Sequence, residues 1–304
     1  MNKREYVISQ REIDANNINI TSYANRPFLN GNQAQHIIFE LISSNKPFFI
    51  GRIGETELRT ISEYSNFRWL KRSCRIASHC ICNNAGFFPN NPLYIYRFCK
   101  KYYESMLNIE YLGLFAWPNE EAYMEKSTQL KGCFLARTLN VFYCDNKWTA
   151  ALAGKKVLII SPFADSIEKQ YLRKNLIFSD SSQILPDFEL VTLRAVQSIG
   201  GKGAEGFNDW FSALSYMETE INNIDFDIAL LGCGAYGLPL GSYIKSIGKQ
   251  AIVVGGCLQL LFGIMGKRWE NDEVLKEYIN KYWVRPAENE KPYLAGNVED
   301  GCYW

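Results

Sequence analysis

The sequence predicts an α/β fold built on a mostly parallel sheet. Three observations lead there. Short apolar runs such as "KKVLIISPF", "FDIALLGCG" and "QAIVVGG" read as buried strands. Segments of helical period, 10 to 20 residues long, alternate with them. The runs end in glycine or proline, as strands do when they feed a crossover. Right-handed crossovers then place the strand C-termini, and any ligand site, along one edge.

The elements follow in order. "GNQAQHIIFELISS" puts Ile37, Ile38, Leu41 and Ile42 on one helical face, with Asn32 as the expected N-cap. "PFFIGRI" is the first buried strand. Between Ser65 and Ala150 the pattern is less regular and rich in aromatic residues, and helices with one or two strands are expected. "KKVLIISPF" ends at Pro162, and "DSIEKQYLRKNLIF" follows as a helix with Asp165 as its cap. "DFELVTLRAV" is a further strand. "GFNDWFSALSYMETEI" aligns Phe207, Trp210, Phe211, Leu214, Met217 and Ile221 as a stripe for the core. "LPLGSYIKSIGK" is a helix with Gly248 near its end, between the last two strands. No repeat or linker interrupts the chain, so residues 1–304 are expected to form one domain.

Composition narrows the function classes. The chain has 304 residues, 47% of them hydrophobic and 21% charged, enough for a sizeable core. A net charge of +1 gives no general attraction to nucleic acid or an anionic membrane. Two histidines, His36 and His79, make a histidine triad or histidine-rich zinc site hard to build. Nine cysteines without regular spacing, an N-terminal stretch "MNKREYVISQREID" without the apolar core of a leader, and no apolar run of spanning length suggest a reducing cytoplasm. "SHCICNN" places His79, Cys80 and Cys82 together. The missing second cysteine pair favours structural thiols over a metal cluster.

Two stretches carry chemistry. "GCGAYG" (232–237) matches G-x-G-x-x-G between a predicted strand and a predicted helix, a setting in which backbone N–H groups approach a phosphate. A dinucleotide site expects an acid at the end of the following strand, but "AIVVGG" ends in Gly255 and Gly256. A nucleoside-diphosphate site fits better, with a purely structural turn as the alternative. Beyond it, "GGCLQLLFGIMGKRW" supplies Lys267 and Arg268, either phosphate-neutralising cations or a solvated basic helix end, and Trp269, a ring that can stack. "PFFIGRIGETEL" (47–58) sets Glu55 and Glu57 one residue apart after a strand. An acid-x-acid pair can hold Mg²⁺ or Mn²⁺ together with substrate phosphates. Equally, both acids can lie in the first turn of a helix, where its dipole favours them.

"GRIGETEL" resembles the R-F-G-D-G-E signature of the bacterial GT-D-type glycosyltransferases, once a domain of unknown function. Arg52, Gly54 and Glu57 match, and Glu55 stands where the family has Asp. The resemblance runs from about Pro47 to Trp304 through "SPFADSIEKQY", "LLGCGAYGLPLGSYIKSIGKQAIVVGG", "LQLLFGIMGKRW" and "GCYW", and is weakest between Ser65 and Ala150. It implies a Rossmann-like fold and transfer of a sugar from a nucleoside-diphosphate donor, UDP-linked in type, to a glycan or lipid-linked glycan in surface polysaccharide assembly. It also implies Mn²⁺ or Mg²⁺ at Glu55 and Glu57.

The expected donor-site residues are Arg52, Gly54, Gly232, Gly234, Gly237, Gly255, Gly256, Gln259 and Lys267, with Glu57 and Arg268 acting on the chemistry. Asp165 and Asp209 are candidates for a general base, against helix capping or a solvated helix surface. A cytoplasmic location, peripheral at the inner face of the membrane, and a homo-oligomeric state complete the expectations. The rivals are a non-catalytic nucleotide-binding subunit of a polysaccharide machine and a dinucleotide-dependent oxidoreductase.

Overall fold

The computed structural model describes residues 21–64, 72–115, 117, 120–179, 181–201, 203–298 and 301–304. The N-terminal stretch read above for a leader, and residues 65–71 of the irregular segment, lie outside them.

A small antiparallel pair, β1 (Ser22–Tyr23) and β2 (Arg26–Pro27), precedes helix α1 (Gly31–Ser43). Then come β3 (Phe48–Arg52), α2 (Glu55–Tyr64), α3 (Arg72–Asn84), α4 (Pro92–Leu107), β4 (Tyr111–Leu114), α5 (Glu120–Met124) and β5 (Gly132–Leu135). The second half comprises β6 (Lys156–Ser161), α6 (Ala164–Tyr171), α7 (Lys174–Ile177), α8 (Ser181–Ile184), β7 (Glu189–Arg194), α9 (Trp210–Asn222), β8 (Ile228–Leu231), α10 (Gly237–Ser246), β9 (Gln250–Val253) and α11 (Glu273–Lys276).

The seven strands β3 to β9 form one sheet in the order β5-β4-β3-β9-β8-β6-β7, and every neighbouring pair is parallel. The fold is α/β and Rossmann-like. Both faces are covered, which is why the central strands are apolar without interruption. Register sets Ile159, Leu230, Ile252 and Ile50 in a row across four strands, in the core layer that receives Ala34, Ile38 and Ile42 of α1 and Ile167 of α6. The alternate residues Ile160, Leu231 and Val253 face the other layer, packed by α2, α3, α4, α9 and α10.

Parallel pairing gathers all the strand C-termini on one edge. There the chain leaves β6 towards β7 but leaves β8 towards β9, and it leaves β3 towards β4, away from β9. Such reversals open a crevice at the strand ends.

Four local expectations are corrected. Asn30, not Asn32, caps α1: its side chain accepts from Gln33 N at 3.0 Å, and the Gln33 side chain accepts from Asn30 N in return. The helix after β6 breaks at Leu172–Arg173 into α6 and α7. Asp165 is not its cap: Phe163 holds that position, and the Asp165 carboxylate binds Arg194 at 2.6 Å and Asn289 at 3.0 Å. Phe207 precedes α9, whose buried stripe is Trp210, Leu214, Met217 and Ile221. Asp209 is the N-cap of α9, in a capping box with Ser212. The irregular segment contains α3, α4 and α5 and supplies two strands, β4 and β5, to one side of the sheet.

Candidate functional site

A cavity of about 510 Å³ lies at the C-terminal edge of the sheet. Its walls come from the ends of β3 (Arg52), β6 (Ser161), β7 (Ala195), β8 (Gly232) and β9 (Val253), all on one edge because the strands are parallel. Most of the residues expected at a donor site line it: Arg52, Gly54, Glu55, Glu57, Gly232, Gly234, Gly255, Gly256, Gln259 and Arg268. Two do not. Gly237 packs its helix on the sheet instead, since a Cβ there would come 3.1 Å from Val253. Lys267 is exposed and outside the lining, although Arg268 beside it is part of it. Asp165 and Asp209 are also absent from the wall, consistent with the structural contacts described above.

The turn after β9 organises the cationic wall. Gly255 has φ +76°, a conformation natural to glycine, and leaves room for Arg52: a Cβ there would sit 1.5 Å from Arg52 Nη2. The Arg52 side chain is held by its Nε, which donates to Val254 O at 3.0 Å, and by the Phe115 ring, 5.1 Å from the guanidinium carbon. On the other side of the turn, Gly256 faces the Tyr303 ring. Arg268 lies over that ring at 4.8 Å and donates from Nη1 to the Tyr303 hydroxyl at 3.2 Å. Both arginines line the cavity. The Cys257 thiol, pushed up by burial, is pulled back down by Arg52 and by Arg268.

The turn after β8 meets this wall. A Cβ on Gly232 would be 2.8 Å from Gly255 O, so the two glycine turns touch backbone to backbone. Gly234 has φ +58°, and its Cα faces Ala85 O, 3.2 Å from where a Cβ would stand. Gly234→Val is therefore strained as well as obstructive. It is expected to destabilise the fold by about 2 kcal/mol, read as a lower denaturant midpoint at unchanged m-value. An unchanged midpoint would show that the turn does not need this geometry.

The two carboxylates behave differently. Both lie in the first turn of α2 and both line the cavity. Residues i and i+2 of a helix do not face each other. Glu55 is exposed, whereas Glu57 is 7% exposed and folds back on Gly54, where a Cβ would lie 2.2 Å from its Oε2. Tyr102, buried in the same wall, contacts the Gly54 backbone. Burial holds its hydroxyl pKa well above the usual value, the Glu57 carboxylate pushes the same way and Arg52 opposes both. Among the described residues no third His, Cys, Asp or Glu joins the pair. The donor set thus offers one open carboxylate, Glu55, and the edge of a second. The remaining positions around an ion would fall to ligand oxygens and water, a pattern that suits Mg²⁺ or Mn²⁺.

Sequence reasoning gave no site role to Tyr102, Phe115, Trp117, Tyr303 or Trp304. The only signal for them was aromatic richness and the "GCYW" string. The C-terminal strand of contacts is well tied: Lys267 N donates to Trp304 O, Arg268 N to Cys302 O, Gln259 Nε2 to Tyr303 O and Arg285 Nη1 to Trp304 O. Of the "SHCICNN" trio on α3, His79 is exposed, Cys80 half-buried, and Cys82 buried with its thiol pushed up to about 12 by burial.

Comparison of the chain with family models, with curated proteins and with solved structures finds no match. Among the described residues, no helix is long and apolar enough to cross a membrane.

Proposed function

We propose that this chain is a glycosyltransferase that takes a sugar from a nucleoside-diphosphate donor, UDP-linked in type, and passes it to a glycan or lipid-linked glycan acceptor of the bacterial cell surface. The observation that carries the reading is the pair of arginines, Arg52 and Arg268, brought to opposite sides of the Gly255–Gly256 turn in a cavity at the strand ends. Two guanidinium groups lining one cavity suit the charge of a diphosphate, and each can hold two oxygens. The adjoining Gly232–Gly234 turn adds close-approaching backbone. The resemblance to the GT-D-type family supports the same assignment.

In this reading the chain's own groups bind and orient. Arg52 is aimed by Val254 O and Phe115, and Arg268 by Tyr303. Preset cations stabilise charge that builds on the departing diphosphate without reorganising. Glu55, with the edge of Glu57, would hold Mg²⁺ or Mn²⁺, which as a Lewis acid would neutralise the same charge. Glu55→Gln is expected to raise the Mn²⁺ concentration for half-maximal turnover about tenfold with the melting temperature unchanged, since the side chain is exposed. A metal titration that matches wild type would remove Glu55 from the metal site.

The test of function is incubation with radiolabelled nucleotide sugars, Mg²⁺ or Mn²⁺, and glycan or lipid-linked acceptors. Metal-stimulated release of nucleoside diphosphate supports the reading. Tight binding with no release from any donor supports a second one, a nucleotide-binding subunit of a polysaccharide machine. One observation favours that rival: among the described residues, Glu55 and Glu57 are the only acids on the cavity wall, so none of those residues supplies a separate carboxylate as a base. We place the protein in the cytoplasm at the inner face of the membrane, as a homo-oligomer; gel filtration and fractionation test both.

A further inference from the structure

The cavity lining carries polar groups that find no hydrogen-bond partner in the fold. Among the described residues, the indole N–H of Trp117, the indole N–H of Trp304 and the Oε1 of Gln259 are buried without a hydrogen-bond partner, and all three residues line the cavity. Gln259 is 1% exposed. Its Nε2 donates to two carbonyls, Ile264 O and Tyr303 O, each at 3.2 Å, which fixes the remaining amide atom as the oxygen. Buried polar groups in native proteins are almost always paired, and leaving one unpaired is costly. Three such groups around one cavity are explained together by a ligand that pairs them.

We propose that Trp117, Trp304 and Gln259 form a subsite for a hydroxylated ring, the sugar moiety of the ligand whose phosphates meet the arginines. A sugar hydroxyl both donates and accepts, so neighbouring hydroxyls can satisfy two N–H donors and one amide oxygen at once. The indoles also offer apolar faces against which the C–H face of a sugar packs. Trp304 is braced for this: its ring meets Phe163 at 6.0 Å and Tyr303 at 6.0 Å, both edge-on, and its backbone oxygen is held from Lys267 N and Arg285 Nη1. Trp117 is held at its backbone, where Trp117 N donates to Glu120 Oε2 at 3.0 Å and Phe115 N to Glu120 Oε1 at 3.2 Å. Glu120 is fully buried and fixes the aromatic wall. This assignment rests on the diphosphate reading for the rest of the ligand.

The test compares two probes, a nucleoside diphosphate and the matching nucleotide sugar, by calorimetric titration of the full chain and its Trp304→Phe and Trp117→Phe variants. An unpaired N–H contributes nothing to the unliganded fold, so melting temperatures should stay within about 2 °C of wild type. Nucleotide-sugar affinity should fall about 5- to 10-fold per variant, with nucleoside-diphosphate affinity unchanged. Equal weakening of both probes would assign the indoles to the nucleoside and overturn the sugar subsite. Unchanged affinity for both probes in both variants would also overturn it. If the wild-type chain binds neither probe, the diphosphate reading fails separately. The subsite is then tested with free hexoses and methyl glycosides by tryptophan fluorescence, and absence of any saturable change there would overturn it too. Should one variant not fold, the other decides, because the two tryptophans sit on separate segments.

Discussion

Gly255→Ala is expected to weaken donor binding about 10- to 100-fold with a smaller loss of stability. The added Cβ would stand 1.5 Å from Arg52 Nη2 and 2.2 Å from Arg52 Cζ, so the guanidinium has to leave its place. Its departure breaks the bond from Arg52 Nε to Val254 O and the contact with Phe115. Alanine at φ +76° adds a backbone cost of about 1–2 kcal/mol. One methyl group thus removes a cation from the wall without touching its charge. Loss of a charge-assisted contact to phosphate is worth about 1.5–3 kcal/mol, roughly 10- to 100-fold in affinity. Calorimetry with a nucleoside diphosphate reads the affinity and a denaturant curve reads the stability. Because Gly255→Ala acts through Arg52, the double variant with Arg52→Ala should bind no worse than Arg52→Ala alone. Additive losses would show that the two residues act separately.

Arg268→Ala carries the second large effect. The Arg268 side chain is exposed, over Tyr303 and Trp269, so its removal should cost the fold at most about 0.5 kcal/mol. Turnover should fall about 100-fold, and Arg268→Lys should fall between that and wild type, because a lysine ammonium cannot hold two oxygens in a fork. Tyr303→Phe removes the hydroxyl that receives Arg268 Nη1 and should reproduce part of the loss. Steady-state kinetics on the three variants decide. Wild-type kcat and donor KM in Arg268→Ala would remove this residue from the site.

The central sheet was legible because its signal is local. Apart from Lys156, Asp227 and Gln250 near their starts, "KVLII", "FDIALL" and "QAIVV" are apolar, and each became a buried parallel strand close to the expected place. The β4 and β5 strands were visible only as one or two strands somewhere in an aromatic stretch, because Tyr111–Leu114 and Gly132–Leu135 are four residues each and too short for a period. Gly232, Gly234, Gly255 and Gly256 line the cavity from their place after strands, and Arg52 and Gly54, named through the "GRIGETEL" resemblance, line it too, whereas Gly237 does not. The inward turn of Glu57 was not legible in the sequence, because it depends on where α2 begins: starting the helix at Glu55 puts Glu57 back over Gly54 and leaves Glu55 exposed at the cavity rim. Lys267 and Arg268 are equivalent in sequence; the 3₁₀ turn over Lys267–Trp269 and its bonds to the C-terminal residues bring only Arg268 to the cavity. Tyr102, Trp117 and Trp304 reach the wall from distant segments, so only the assembled sheet edge brings them together.

The central claim is that this edge holds a nucleoside diphosphate between two arginines. Calorimetric titration of the wild-type chain and of Arg52→Ala and Arg268→Ala with UDP, with and without Mn²⁺, tests it most directly. The account predicts saturable binding to wild type that is strengthened by Mn²⁺ and weakened at least 10-fold in each variant. Absence of binding to the folded wild-type chain, or binding that both variants retain in full, would contradict it.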